Sequence, residues 1–143
     1  MKCTIVIDPN KPEEVIVHVH KHTQLADEIR ALCNQNDPYL IGYKDREACH
    51  LNIQDVLYFA VENNHVNAVT ENDCFRVKSR LYELESRLPS AFVKIHQSCI
   101  ANLKKVKCFS TSLAGSLQVI FVNGDTDFVS RRQVKHVKER LGL

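Results

Sequence analysis

The chain is predicted to fold as a mainly β protein with short helices, an α+β architecture. Three observations predict it. From Val56 onward, short runs of apolar and β-branched residues alternate with polar ones, the period of half-buried strands. Between those runs stand Asn63–Asn64, Glu71–Asn72–Asp73 and Asn123–Gly124, residues that suit tight hairpin turns. Helical spacing of apolar side chains is confined to brief stretches after Thr23, after Ser79 and after Ser130.

Taken in order, residues 2–7 (KCTIVI) and 14–20 (EVIVHVH) are predicted strands separated by the turn-rich DPNKP. Thr23 is the predicted cap of a helix with Asp27 and Glu28 near its positive end and Leu25, Ile29, Leu32 and Cys33 on one face. NQNDP, from Asn34 to Pro38, ends that helix. A stretch Tyr39–Tyr43, the KDR turn and a strand over Glu47–Ile53 follow, so the N-terminal region is β-β-α-β in outline. It is too short for a receiver domain and lacks the acidic cluster that would bind magnesium and accept a phosphoryl group.

VLYFAVE, HVNAVT and CFRVK are the next three predicted strands. Ser79 is the expected cap of the helix RLYELESRL, with Leu81, Leu84 and Leu88 facing inward and Pro89 ending it. FVKIHQSCIANLKKV, from Phe92 to Val106, opens as a strand, then crowds His96, Gln97, Ser98 and Asn102 ahead of Lys104, Lys105 and Lys107. Amide groups can read base edges, and ammonium groups neutralise phosphates. Val106–Phe109 and Leu117–Val122 are strands around STSLAGS, and Asn123–Gly124 is a type I′ signal leading into TDFV. The closing helix carries a capping-box pattern, Ser130 with Gln133, and an apolar face of Val134, Val137 and Leu141. Arg131 and Arg132 occupy its first turn, where cations oppose the helix dipole by a few tenths of a kcal/mol each. Guanidinium groups there make sense beside a phosphate or a guanine edge.

A chain of 143 residues with 44% apolar and 25% charged side chains is globular, with room for one domain or one domain and a small appendage. The net charge of +2 is unevenly spread. Residues 1–50 carry six Lys/Arg against eight Asp/Glu, whereas residues 76–140 carry thirteen against five, a local net of +8. The basic C-terminal part predicts a polyanionic partner. The six cysteines form no Cys-x-x-Cys pair and mostly lie in apolar runs, as small core residues do, so free thiols and a reducing, cytoplasmic location are expected. No signal-peptide pattern opens the chain, and no apolar run is long enough to cross a bilayer, so no membrane insertion is expected.

FVKIHQSCIANLKKV and the later VSRRQVKHVKERL together resemble the LytTR DNA-binding domain, the output module of many bacterial response regulators. DVLYFAVENNHVNAVTENDCFRVKSRLYELESRLPS fits the same pattern, so the resemblance covers about residues 50–143. Its motifs are Phe-x-(Lys/Arg)-Ile-His-x-Ser before an Asn, a leucine-rich short helix upstream and a late Ser-Arg-Arg. The resemblance implies an elongated arrangement of small antiparallel sheets whose loops enter successive major grooves of DNA. Its base-reading positions carry over to His65, Gln97 and Arg132. Gln suits adenine and Arg suits guanine, at about 1–3 kcal/mol of discrimination per good pair. Lys94, Lys104, Lys105, Arg131 and Lys135 are the candidates for phosphate contact. His96 and Asn102 are expected to be structural, as a hydrogen-bonded strand residue and a turn holder.

The expected protein is a transcriptional regulator of the response-regulator output type, bound as a homodimer to paired promoter sites in double-stranded DNA, with no cofactor and no metal ligands. Residues 50–143 form the expected DNA-binding domain. Residues 1–49 form an extension like that of compact stand-alone members of the family, serving dimerisation or signal input. Other hypotheses attach to particular residues. His18, His20 and His22 on one strand face, with His50 or Cys49, would sense a metal. Cys99, exposed near a basic patch, would sense oxidants. RNA binding would need an aromatic stacking platform, but Tyr58, Phe59, Phe75 and Phe121 read as core. No enzyme is expected: His96 and Cys99, three residues apart on a strand, would face opposite ways, and no Gly-rich phosphate loop is present.

Overall fold

The hairpin turns organise the molecule. Asn63 and Asn64 both adopt positive φ, 51° and 63°, the left-handed pair that a type I′ turn requires. They join strand β3 (Val56–Glu62) to β4 (His65–Thr70), which pair from Glu62↔His65 back to Val56↔Thr70. The computed structural model describes residues 2–12, 14–33 and 40–142. Around this hairpin stand helix α1 (Gln24–Cys33), strands β1 (Leu40–Lys44), β2 (Glu47–Leu51) and β5 (Cys74–Val77), and helix α2 (Leu81–Arg87). Strands β6 (Phe92–His96), β7 (Cys99–Asn102), β8 (Val106–Thr111), β9 (Leu117–Phe121) and β10 (Thr126–Val129) then lead to helix α3 (Arg131–Leu141). A seven-stranded antiparallel sheet runs β2-β1-β5-β4-β3-β7-β6, and a three-stranded sheet runs β10-β9-β8. The predicted mainly β, α+β class is what the chain adopts.

The larger sheet is covered on both faces. On one, Leu81, Leu84 and Leu88 of the α2 region pack on Val56, Phe59, Val66, Val77 and Ile100. On the other, Leu57, Val93, Ile95, Cys99 and Ala101 meet Leu117, Val119 and Phe121 of the smaller sheet, and Val137 of α3. Strand β7 is therefore buried along its whole length, and each large side chain on it contributes about 1.5–3 kcal/mol by leaving water. Gly42 in β1 permits close approach: a Cβ there would lie 2.6 Å from Leu51 and 2.7 Å from Phe75.

Several sequence expectations need correction. Residues 2–7 and 14–20 form no strand: Ile5 and Ile7 are 85% and 92% exposed, and no described residue pairs with their backbone. A β-forming composition makes a strand only when a neighbour completes the ladder. The N-terminal β-β-α-β outline thus reduces to α1, β1 and β2 among the described residues. The expected helix end at Asn34 to Pro38, with Tyr39, lies outside them. Strands β1 and β2 join the larger sheet through β5, and β2 straddles residues 49 and 50. Arg80, not Ser79, holds the cap position of α2. Ser130 caps α3 through its backbone carbonyl alone, so no capping box forms. Asn123 is not left-handed; Gly124 alone is, at φ 92°, and its N–H donates to the Phe121 carbonyl. That connection is a four-residue turn ending on a left-handed glycine, not type I′. Of the cysteines, Cys99 alone is buried, while Cys3, Cys33, Cys74 and Cys108 are exposed.

Candidate nucleic-acid interface

Strand direction decides which loops share an end of the molecule. Strand β3 runs toward the Asn63–Asn64 turn, and β7 runs antiparallel to it, pairing Ala60 with Cys99. The Val61 N–H donates to the Ser98 carbonyl at 2.9 Å. The Gln97–Ser98 turn therefore emerges beside Asn63–Asn64. Strand β5 pairs Val77 with Val66, which brings the segment after Val77 to the same end. The Ser130 N–H donates to the Ile95 carbonyl at 2.8 Å, so α3 begins against the last residues of β6.

One end of the fold thus carries His65, Gln97, Arg131 and Arg132, all exposed. Asn64, Lys94 and Gln97 line one recess there, of about 590 Å³. Lys94 is half-buried, with Glu85 3.9 Å from its ammonium. Lys135 lies exposed on the second turn of α3. The structure does not bring Lys104 and Lys105 to this end. They form a 3₁₀ turn, Leu103–Lys105, beyond the far end of β7, beside the loop after β9, where the Val122 N–H donates to the Lys105 carbonyl. Lys104 faces the C-terminal part of α3 and α1 instead, around a separate hollow.

Behind these turns sits a polar cluster. His96 Nε2 donates to both carboxylate oxygens of Asp127, at 2.9 and 3.0 Å, and His96 Nδ1 accepts the Ser98 N–H at 3.1 Å. The ring stacks on Phe128, 5.3 Å between centroids, and Asp127 also accepts the Phe128 N–H. His96 is the structural residue expected of it. Its expected geometry relative to Cys99 needs correction, because the two-residue turn makes them a cross-strand pair on one face. His96, Cys99 and Asp127 hold their ligating atoms within 4.8 Å of one another. The hydrogen bonding argues against a metal: Nδ1 accepts the Ser98 N–H and so is unprotonated, Nε2 carries the ring proton, and a metal at Nε2 would move that proton to Nδ1 and set two N–H groups against each other. The Cys99 thiol is pushed well above its usual range, chiefly by burial and then by the Asp127 carboxylate. It is neither exposed nor activated as an oxidant sensor would need. Burial and that same pull to the neutral form leave it no nucleophile beside His96. His18, His20 and His22 do not lie on a strand, and His22 is engaged by Asp27 and Arg140.

Asn102 is the buried polar residue that anchors the opposite end. Its Nδ2 donates to the Val56 carbonyl at 2.9 Å and its Oδ1 accepts the Lys104 N–H at 3.1 Å, the turn-holding role expected from the sequence. Phe59 and Phe121 are fully buried, and Tyr58 and Phe75 are partly so, which leaves no aromatic platform for stacked bases among them. Tyr58 donates to Asp125 at 2.8 Å, and burial with that carboxylate pushes its phenol upward. Sequence reading places Arg80 within a helix and does not mark it as functional, yet it lines the recess with Asn64, Lys94 and Gln97. The basic run Arg76, Lys78 and Arg80 was the available signal.

The fold and this rim define a small antiparallel scaffold that presents two strand turns and the start of α3 at one end. The LytTr DNA-binding domain family model matches residues 46–142, and the chain belongs to that family. Relatives in Staphylococcus aureus strains COL and N315, each described as an uncharacterized HTH-type transcriptional regulator, are 34% identical over all of this chain and 99% of their own length. A solved LytTr DNA-binding domain from Bacillus cereus has the same fold, with a TM-score of 0.71 at 19% identity, covering 75% of this chain and 99% of that one. Among the described residues of this chain, no two helices adjoin through a short turn as a helix-turn-helix requires; α2 and α3 are separated by five strands. No described helix is long and apolar enough to cross a membrane.

Proposed function

We propose that this chain is a transcriptional regulator that binds specific sequences in double-stranded DNA through the turn end of its larger sheet. His65, Gln97 and Arg132 read base edges, while Lys94, Arg131 and Lys135 contact phosphates. The observation that carries this is the emergence of the Asn63–Asn64 turn, the Gln97–Ser98 turn and the start of α3 at one end of a LytTR-family chain. Lys104 and Lys105 leave the contact set, because β7 separates them from that end. The +8 charge of residues 76–140 supports a nucleic-acid partner.

The homodimer and the division into residues 1–49 and 50–143 are part of the same proposal. Residues 2–20 hold Ile5, Val6, Ile7, Val15 and Ile16 exposed, a composition suited to pairing with a second copy or with an input partner. Enrichment of bound duplexes from a randomised pool tests the function. Arg132→Ala is expected to flatten the preference among the recovered sequences while general duplex affinity persists. An unselective wild-type pool would contradict it.

A further inference from the structure

The recess between the two reader turns has its own chemistry. Its rim carries Arg80, Tyr82, Lys94, Asn64 and Gln97. Arg80 is exposed and engages no side-chain hydrogen bond or ion pair among the described residues. It follows β5, whose Val77 is paired with Val66, so it is held between the Asn63–Asn64 turn and the core-anchored Leu81. Tyr82 is 71% exposed, unusual for a tyrosine unless its hydroxyl or ring has a use. Opposite them, Lys94 projects from β6 on the same sheet face. The carboxylate found against this cluster is Glu85, at 3.9 Å from Lys94 and itself largely exposed. A guanidinium, an ammonium, a phenol and two amides around one opening form a donor-rich seat for an oxyanion that accepts several hydrogen bonds.

We propose that this recess seats a phosphodiester of the DNA backbone, with Arg80 as its principal contact and Lys94 and Tyr82 beside it. The inference rests on the proposed DNA-binding reading and adds a phosphate site between the two base-reading turns. Arg80 fixes the register of the duplex, so that His65 and Gln97 meet bases on either side of a clamped backbone. Such contacts position without specifying.

The test measures affinity as a function of salt for a duplex enriched from the randomised pool and for an unrelated duplex of equal length. Arg80→Ala is expected to weaken both duplexes by the same factor and to lower the slope of log K against log salt by about 1. Arg80→Lys keeps the charge and is expected to retain the slope. Thermal unfolding of both variants is expected to match wild type, since Arg80 lies outside the core. If Arg80→Ala alters neither affinity nor slope while Arg132→Ala still flattens base preference, the phosphate seat is wrong and the DNA-binding reading stands. A loss confined to the enriched duplex would also overturn the seat, making Arg80 a base reader. Insensitivity to both Arg80→Ala and Arg132→Ala would remove the underlying reading itself.

Discussion

At the scale of single residues, His96 shows how a side chain within the recognition motif serves it indirectly. Its ring ties the Gln97–Ser98 turn, through the Ser98 N–H, to Asp127 on β10, just ahead of Arg131 and Arg132. Two of the proposed base-reading positions are thereby spaced by one imidazole. Asp127→Asn keeps the shape but removes the negative charge and sets an amide N–H2 against the His96 Nε2–H, where a carboxylate oxygen now accepts. We expect a loss of about 1–3 kcal/mol in stability, measured by urea unfolding. Arg132→Ala should cost about 1–3 kcal/mol of discrimination between the preferred and altered base at one position, with nonspecific affinity nearly kept. The Arg132 change is checked by equilibrium binding to paired duplexes. The roles of His96 and Asn102 were legible in the sequence, because a polar residue within an apolar strand has to find a bond. The partner was not: Asp127 lies 31 positions from His96, a separation no local pattern reports. The place of Cys99 is hidden for a related reason: strand periodicity puts residues three apart on opposite faces, whereas the two-residue turn folds Cys99 onto the His96 face.

At the scale of elements, turn chemistry set the accuracy of prediction. Asn63–Asn64 adopts the positive φ pair its sequence promises, and β3 and β4 begin and end where the residue pattern places them. Asn64→Val forces a β-branched side chain into the left-handed region and should destabilise the hairpin by roughly 1–2 kcal/mol, whereas Asn64→Gly should not. Thermal unfolding separates the two. Asn102→Ala strips partners from the Val56 carbonyl and the Lys104 N–H at a buried site, and should cost about 1–3 kcal/mol for each group left bare. Asn52 accepts the Gln54 N–H in the same way ahead of its own 3₁₀ turn, so one device follows two strands of the sheet, β2 and β7. Helix caps were less legible. Ser79 and Ser130 have the right side chain, yet tertiary packing of Leu81 and the Ile95 hydrogen bond fix where each chain turns. Residues 2–7 and 14–20 failed as strands because pairing, not composition, makes a ladder.

At the scale of the whole molecule, the charge asymmetry read from the sequence acquires direction. Cations of the C-terminal part divide between two ends: Arg80, Lys94, Arg131 and Arg132 at the end of the Asn63–Asn64 and Gln97–Ser98 turns, Lys104 and Lys105 beyond the far end of β7. Sequence adjacency had merged them into a single patch, since Gln97 and Lys104 stand close along the chain but at opposite ends of one strand. Deleting residues 2–20 leaves β1 and β2 in place, and sedimentation should then report loss of the proposed dimer with the fold intact. The most direct measurement is backbone hydrogen exchange of the full chain with and without a duplex enriched from a randomised pool. Protection is predicted at residues 63–66, 97–98 and 131–133, with residues 103–107 unchanged. Protection centred on residues 103–107, or spread without regard to the turn end, would contradict the account.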